Sequence, residues 1–367
     1  SLPSTATDLQ QAARALQPST AARVTTKVES TSTFTLPGTA PRKTMAQFDV
    51  GAMSAGDTVS DITLVLKRDD DHENAFRSYL ARLNNPASPD FHHWLTAAQL
   101  GERFGPSAQD VKTVQQWLRA QGMTVSSVSS DHMRIVFSGP AGAVAKAFGT
   151  QLHHYTVDGE KHFANSTETR IPASLSPVIR SVALHNFFPK PQHTALMHST
   201  FDRKHGKWST ADAAKPAFTV PPGTSDPSIT YDMVPADFDQ VYNVKPLWDR
   251  RDALRGAGQT VVVLERTDIL PDDVARFRSA FLPADAKGSF STVHPLDGGV
   301  ACTDPGMNGD EGEAALDAEW AGAAAPDANI VLASCADSGA TFGPFMAAAR
   351  LLEGGPDGSL PPPVWSL

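Results

Sequence analysis

The C-terminal half of the chain is organised around one stretch, Gln259-Thr260-Val261-Val262-Val263-Leu264, which follows Gly256 and Gly258. Valine is enriched in strands because its branched side chain packs well on a pleated surface. A strand that is apolar on both faces is typical of a parallel sheet that helices cover on both sides. The stretch therefore predicts a buried, central strand.

The segments that follow alternate between helical and strand patterns. Helices are predicted at Pro271–Phe281, Asp310–Ala325 and Gly343–Leu352, and a second buried strand is predicted at Asn329–Ala333. Alternation of this kind predicts a parallel α/β sheet. The last residues, Pro363–Leu367, have the pattern of a further strand that stops part-way, so we expect a truncated sheet with an uncovered edge.

The predicted helix at Asp310–Ala325 carries two acids, Glu313 and Asp317, four residues apart. Side chains at this spacing leave the same face of a helix, with Cβ atoms about 5–6 Å apart. Two carboxylates this close do not both ionise freely, so we expect one pKa to rise and the pair to share a proton. Such a pair suits a general base that works in acid, where a histidine would be protonated. Spacing alone favours the alternative, a solvated helix face.

The chain divides into four parts by composition. Residues 1–45 are rich in Ser, Thr and Ala and predict a flexible arm. Between 46 and 187, strands and amphipathic helices with short connections predict a compact α+β domain of the split βαβ, ferredoxin-like type. Residues 188–230 lack sustained periodicity and predict an exposed linker with a processing site. Residues 231–367 form the second predicted domain.

Charge is distributed unevenly along the chain. Residues 1–230 contain 22 Lys and Arg against 19 Asp and Glu, a net charge of +3, whereas residues 231–367 contain 9 against 21, a net charge of −12. Eleven of the 12 histidines precede residue 210. The asymmetry is either a drift in surface composition or the sign of two parts that attract each other near neutral pH and separate in acid.

Composition disfavours two classes of partner. The basic excess is small and no Arg-rich or aromatic-interleaved patch occurs, so we expect no nucleic acid partner. No apolar run reaches the roughly 20 residues that cross a bilayer, so we expect no membrane span. The chain begins at Ser1 without the pattern of a signal peptide. We expect a secreted or periplasmic protein whose signal peptide has been removed.

The two cysteines, Cys302 and Cys335, flank the paired acids. A loop-closing disulfide is favoured in an exported protein, and two free buried thiols are the alternative. Two cysteines do not form a structural zinc site unaided. The polar residues Asp304, Asn308 and Asp310 do not match the spacing of an EF-hand, so the sequence predicts no metal site within this chain.

Several short motifs, in a consistent order, carry a family resemblance. They are Ser88-Pro89-Asp90-Phe91-His92-His93-Trp94-Leu95-Thr96, Phe104-Gly105-Pro106-Ser107, Ala147-Phe148-Gly149-Thr150, His162-Phe163-Ala164-Asn165 and Tyr242-Asn243-Val244. From about residue 45 to its end, the chain resembles a sedolisin, that is, a kumamolisin-like serine-carboxyl peptidase precursor with a pro-kumamolisin-type activation domain.

The resemblance implies a subtilisin-like α/β catalytic domain with a Ser-Glu-Asp triad. Glu313 matches the triad Glu, the base that takes the proton of the serine, and Asp317 matches the Asp that orients this base. Glu265 matches an acid that supports the pair in some members; by itself it is equally well explained as a solvated charge at a strand end. The family's nucleophilic Ser, oxyanion Asp and calcium site lie further downstream and have no counterpart in this sequence. We therefore expect calcium only in the missing C-terminal part.

The resemblance also implies partners, namely protein or peptide substrates and the protein's own pro-domain in cis. The pro-domain is expected to act as inhibitor and chaperone until autoprocessing in acid. Because the nucleophile is absent, we expect the fragment alone to be inactive; a truncated, non-catalytic product or a pro-domain-based protease inhibitor is the alternative. Gly223-Thr224-Ser225 has the form of a nucleophile motif but precedes the acids, whereas the family places its serine last.

Overall fold

The structure is a computed structural model that describes residues 21–29, 31–190, 199–202, 207–210, 218–220, 230–250, 254–297, 300–354, 362 and 364–366. The chain divides into two compact units. Unit 1 comprises Ser1–Phe188, Leu296–Ala301 and Asp337–Pro361, and unit 2 comprises Pro189–Pro295, Cys302–Ala336 and Pro362–Leu367. Strands and α-helices are numbered below in chain order.

The elements up to residue 188 all belong to unit 1. The strands are β1 (Thr33–Leu36), β2 (Asp49–Ala52), β3 (Thr58–Leu66), β4 (Thr124–Val128), β5 (Arg134–Pro140), β6 (Leu152–Val157), β7 (Glu160–Asn165), β8 (Thr169–Pro172) and β9 (Ile179–Val182). The helices are α1 (Asp70–Leu83), α2 (Ala97–Phe104), α3 (Ala108–Ala120) and α4 (Ala141–Ala147), with short 3₁₀ turns at Ala46–Phe48 and Ala173–Leu175.

The elements beyond residue 188 are shared between the units. The strands are β10 (Ser199–Asp202), β11 (Lys207–Thr210), β12 (Phe218–Val220), β13 (Thr230–Asp232), β14 (Thr260–Glu265), β15 (Phe290–Val293), β16 (Leu296–Asp297), β17 (Val300–Ala301), β18 (Asn329–Ser334) and β19 (Val364–Ser366). The helices are α5 (Pro235–Val241), α6 (Lys245–Trp248), α7 (Pro271–Phe281), α8 (Glu311–Ala324) and α9 (Gly343–Leu352). Of these, β16, β17 and α9 belong to unit 1.

Unit 1 is built on a four-stranded antiparallel sheet in the order β4-β5-β3-β9. In β3 the side chains of Ile62, Leu64 and Leu66 are fully buried, and Ile135 and Phe137 of the paired β5 are buried on the same side. Alternation of this kind places one face of a sheet against a core. The helical side of that core consists of Val111, Val114, Leu118, Val144 and Phe148.

Polar caps fix the beginnings of the first three helices. Asp69 caps α1 by accepting a hydrogen bond from a backbone N–H of the first turn, and Thr96 forms a capping box with Gln99 at the start of α2. Ser107 accepts a hydrogen bond from the backbone N–H of Asp110 at the start of α3. Each cap satisfies a backbone donor that the helix leaves unpaired.

The predicted flexible arm, residues 1–45, is wrong for its second half. Leu36 is buried, and β1 pairs with β8. The backbone N–H groups of Arg23 and Val24 donate to the carboxylate of Asp110 at 3.0 and 2.9 Å. These contacts join positions far apart in the sequence, which a local pattern does not reveal. Residues 1–20 of the predicted arm lie outside the described residues.

Replacing Asp110 with Ala is expected to destabilise unit 1 by roughly 3 kcal/mol, because the change removes a fully buried acceptor and leaves partly buried backbone donors unpaired. Hydrogen exchange of peptides that cover residues 21–29 measures the effect, and those peptides should lose protection first. The matched control is Asp71→Ala, an exposed acid on α1. Equal protection in Asp110→Ala and the control would show that Asp110 does not anchor this segment.

The segment from 337 to 354 packs on unit 1, to which it belongs. The hydroxyl of Ser338 donates to the carboxylate of Asp61, and the backbone N–H of Ala340 donates to the carbonyl of Ser60 at 3.1 Å. A Cβ atom at Gly339 would lie 2.0 Å from that carbonyl oxygen, so only glycine permits the approach. The carboxylate of Glu353 accepts from the N–H of Ser130 at 2.9 Å.

The predicted linker, residues 188–230, contains antiparallel pairing: β10 pairs with β11, and β12 pairs with β13. The helical and strand periodicities gave no sign of these short pairs. The processing site stays a prediction. Gly223-Thr224-Ser225 lies outside the described residues.

Unit 2 is built on a parallel sheet in the order β15-β18-β14-β19. The strand predicted at Gln259–Leu264 is β14, which begins and ends one residue later. Its neighbour β18 runs in register from the Thr260–Asn329 pair to the Glu265–Ser334 pair. The α/β alternation predicted for this half is confirmed. Among the described residues, no helix combines the length and the apolar character that crossing a bilayer requires.

Candidate active site

The carboxyl end of β14 lies at the centre of the sheet in unit 2. Glu265 is the last residue of β14, and its carbonyl accepts a hydrogen bond from the N–H of Cys335, just after β18. In open parallel sheets, ligands and reacting groups collect at the carboxyl ends of the strands. The position of Glu265 therefore marks this edge as the candidate site.

Hydrogen bonds join the loop after β14 to the loop before α8. The backbone N–H of Asn308 donates to Thr267 Oγ1 at 3.2 Å, and the Asn308 side-chain amide donates to the carbonyl of Arg266 at 3.0 Å. The N–H of Asp268 donates to the carbonyl of Gly306 at 2.9 Å. Thr267 is fully buried, whereas the bond from the Asn308 amide to Arg266 is exposed. These hydrogen bonds bring the start of α8 to the end of β14.

Helix α8 carries the two acids predicted from the sequence. Glu313 and Asp317 are half-buried. The alanine that follows each of them, Ala314 or Ala318, is buried in the core of unit 2. Alanine has the highest helix propensity, and acids in the first turn interact favourably with the helix dipole. Helix α8 therefore forms readily and presents both carboxylates beside the sheet.

Glu265 is the most deeply buried of the three acids, with 8 % of its surface exposed. The pKa of Glu265 is raised to about 8. Burial is the largest cause, and the negative charges of Asp317, Glu313 and Asp310 add to it. The pKa of Asp317 is also raised, first by burial and then by the charge of Glu313. Protons are therefore retained in this cluster at pH values where isolated carboxyls have lost them.

One cation lies beside the cluster. The guanidinium Nε of Arg266 lies 3.3 Å from Oδ2 of Asp310, the residue that precedes α8. The ion pair joins the residue after Glu265 to the beginning of the helix that carries Glu313. Arg266 was not predicted as a functional residue, although an acid at the end of a buried strand followed by a base is an available signal.

The structure thus brings Glu265, Glu313 and Asp317 into one electrostatic cluster. The helix predicted at Asp310–Ala325 is observed as Glu311–Ala324. The pKa values of Glu265 and Asp317 are raised, and coupled carboxyls of this kind suit proton transfer in acid, which is the requirement for a general base there. Their catalytic roles stay predictions.

The two cysteines form a disulfide in the structure. Cys302 and Cys335 are joined with a Cα–Cα distance of 5.6 Å, and both are buried. Cys335 directly follows β18, so the bond ties residue 302 to the carboxyl edge of the sheet. The loop that leads into α8 is thereby attached at this edge.

Comparison with known proteins finds one matching family model and several similar proteins. Residues 48–187 match the family model described as the pro-kumamolisin activation domain. Kumamolisin from Bacillus sp. (strain MN-32) is 26 % identical over 310 residues, which is 84 % of this chain and 50 % of the relative. Xanthomonalisin from Xanthomonas sp. (strain T-22) is 26 % identical over 237 residues, 65 % of this chain and 26 % of the relative. The chain is therefore similar to sedolisin-type peptidase precursors, and its residues 48–187 match their activation domain.

Sedolisin from Pseudomonas sp. (strain 101) is also similar, at 28 % identity over 130 residues, which is 35 % of this chain and 22 % of the relative. The chain thus spans half or less of the length of each of these sedolisin-type relatives. A match of 310 residues exceeds the activation domain at 48–187, so the likeness to kumamolisin extends beyond that domain. The resemblance inferred from short motifs is confirmed.

Proposed function

We propose that this chain is part of the precursor of an acid-acting serine-carboxyl endopeptidase, which hydrolyses peptide bonds in proteins or peptides with a Ser-Glu-Asp triad. The observation that carries the proposal is the cluster of Glu265, Glu313 and Asp317 at the carboxyl end of the central strand. An acid protease needs a base that is still usable in acid, and a coupled set of carboxyls supplies one.

Each acid has a distinct role in this proposal. Glu313 accepts the proton of the serine hydroxyl as the serine attacks the peptide carbonyl, because a hydroxyl needs an adjacent base to become a good nucleophile. Asp317 orients Glu313 and holds a shared proton. Glu265, with its raised pKa, is a protonated donor behind the pair throughout the acid range.

The remaining catalytic groups have no counterpart in this sequence. The nucleophilic serine, the Asp that stabilises the oxyanion and a calcium site are expected in a part of the protein beyond these 367 residues. The fragment by itself is proposed to be inactive.

The architecture of both units agrees with this proposal. The order β4-β5-β3-β9, with helices between β3 and β4 and between β5 and β9, supports a split βαβ, ferredoxin-like pro-domain. The parallel order β15-β18-β14-β19 supports the first part of a subtilisin-like sheet. We propose that residues 46–187 are the inhibitory pro-domain and that residues 231–367 begin the catalytic domain.

We also propose that the protein is secreted or periplasmic. The disulfide between Cys302 and Cys335 supports this location, because disulfides persist in oxidising compartments. A peptidase that works in acid also requires an environment that becomes acidic. The partners proposed are protein or peptide substrates and the pro-domain in cis.

Maturation of the complete protein is expected to accelerate as the pH falls toward about 4, the ordinary pKa range of Asp and Glu. The acids that give residues 231–367 a net charge of −12 near neutral pH then lose their charge, so attraction to the net-positive residues 1–230 fades. Gel analysis of cleavage within 188–230 at pH 4, 5.5 and 7.5 measures the rate. Equal rates at all three pH values would contradict acid-triggered processing.

The second candidate function is that of a non-catalytic protein, either a truncated product or a pro-domain-based protease inhibitor. The match of residues 48–187 to an activation domain is the observation that favours it. Adding the 367-residue chain to an active sedolisin separates the two ideas. Inhibition of the added enzyme, together with no cleavage within residues 188–230 in a longer form of this protein, supports the inhibitor. Cleavage of the longer form in acid supports the peptidase precursor.

A further inference from the structure

A second group of side chains lies at the carboxyl edge of the same sheet and has no role in the proposed triad. His294 directly follows β15, Ser334 ends β18, and Asp268 lies in the loop after β14. These three strands are neighbours in the order β15-β18-β14. The parallel sheet itself therefore places an imidazole, a hydroxyl and a carboxylate side by side.

Asp304 completes the group from the segment that precedes α8. Its Oδ1 accepts a hydrogen bond from the N–H of Gly306 at 2.7 Å. The neighbouring Thr303 accepts from the N–H of Ala336 at 2.8 Å, and the disulfide of Cys302 anchors the segment at its other side. Asp304 is consequently fixed in position although its side chain is 63 % exposed.

The distances within the group match those of metal ligands. His294 Nε2 lies 3.2 Å from Asp268 Oδ2 and 3.8 Å from Asp304 Oδ1, and one ligand atom from each residue lies within 4.8 Å of the others. Tetrahedral zinc with bonds of about 2.0–2.1 Å separates its ligand atoms by about 3.3 Å. The three atoms are therefore close to the separation that one ion would impose.

We propose that Asp268, His294 and Asp304 form a site for a late first-row divalent cation of the zinc type. Three protein ligands leave the fourth tetrahedral position to a water molecule. The two carboxylates balance the charge of the ion. The imidazole nitrogen disfavours calcium and magnesium, which select oxygen ligands. This assignment departs from the sequence analysis, which predicts no metal within the chain.

Ser334 supports the site without binding the ion. Its hydroxyl donates to Oδ1 of Asp268, so Oδ2, the atom nearest to His294, is left for the metal. Hydrogen bonds of this kind orient metal-binding carboxylates and commonly affect affinity 10- to 100-fold. The ion would hold the segment around residue 304 to the sheet edge. Within the described part of the chain, Asp268, His294 and Asp304 are the one group of three or more His, Cys, Asp or Glu side chains placed closely enough to hold a metal ion.

Equilibrium dialysis of the intact 367-residue chain against Zn²⁺ alone, followed by metal analysis, tests the site. We expect the parent chain to retain one more equivalent of tightly bound zinc than either His294→Gln or Asp304→Asn. Excess Ca²⁺ or Mg²⁺ should not displace it. The matched control is Asp272→Asn, an exposed acid in the first turn of α7, which should bind as the parent does.

Cobalt provides a second readout that does not depend on peptidase activity. Co²⁺ in the same position should give the visible absorption of a tetrahedral complex, and the signal should be lost in both ligand variants. Equal zinc retention by the parent and the variants, or none by the parent, would overturn the proposal and leave His294 as a hydrogen-bond partner of Asp268 only. Because the readout is binding, failure of this site and failure of the peptidase proposal are distinguishable.

Discussion

Replacing Glu313 with Gln is expected to lower peptide-bond hydrolysis by the complete protein at least about 1,000-fold in kcat, the scale seen when a triad member is lost. The amide has nearly the shape of the carboxyl group but does not accept the proton of the serine. The loss should appear in kcat, with little change in KM, because substrate binding does not involve this proton transfer.

The matched control for this result is Glu311→Gln. Glu311 lies in the first turn of the same helix but is exposed, so its replacement should leave kcat within about twofold. A third variant, Asp317→Asn, is expected to lower kcat and to shift the acid limb of the pH–rate profile, since it removes the partner of Glu313. Full activity of Glu313→Gln and Asp317→Asn would show that the site is assigned to the wrong residues.

Replacing Glu265 with Gln is expected to stabilise unit 2 in mildly alkaline solution. The folded-state pKa of Glu265 is about 8, against an ordinary value of 4.5. Below pH 4.5 the carboxyl is protonated in both the folded and unfolded states, so it contributes no pH dependence. Between pH 4.5 and 8 only the unfolded state releases the proton, so stability falls as the pH rises, and above pH 8 the loss is complete.

The total loss for the parent protein corresponds to on the order of 3–5 kcal/mol. Glu265→Gln should remove most of this dependence, because an amide does not ionise. Hydrogen exchange of peptides that cover β14, compared at pH 5 and pH 8.5 after correction for the intrinsic exchange rate, measures the local free energy of opening. Glu311→Gln again serves as the control and should retain the pH dependence of the parent. An unchanged dependence in Glu265→Gln would remove Glu265 from the coupled cluster.

Local sequence patterns predict much of unit 2. The valine-rich run from 261 to 263 predicts β14 to within one residue at each end, and alanine-rich spacing predicts α8 equally well. Both elements follow from side-chain propensity and burial on one or two faces. The sequence leaves two alternatives for Cys302 and Cys335, a disulfide or two free thiols. The fold brings the two cysteines together, and they form a disulfide.

The burial of Glu265 was not available from local patterns. The loop after β14 accepts hydrogen bonds from Asn308 and donates to the carbonyl of Gly306, and those residues lie in a separate segment of the sequence. The same limit explains why 1–45 was predicted to be a flexible arm: Asp110, far along the chain, accepts hydrogen bonds from Arg23 and Val24. Contacts between distant parts of the sequence accompany the burial of Glu265 and the placement of residues 23 and 24. Hydrophobic periodicity carries no information about such contacts.

The central claim is that Glu265 retains its proton because it is buried among other acids. The most direct measurement is a carbon-detected NMR titration of the Glu265 side-chain carboxyl, in the parent chain and in Asp317→Asn. A midpoint near pH 8 in the parent and a lower midpoint in Asp317→Asn are expected. A midpoint near the ordinary glutamate value of 4.5, unmoved by Asp317→Asn, would contradict the account.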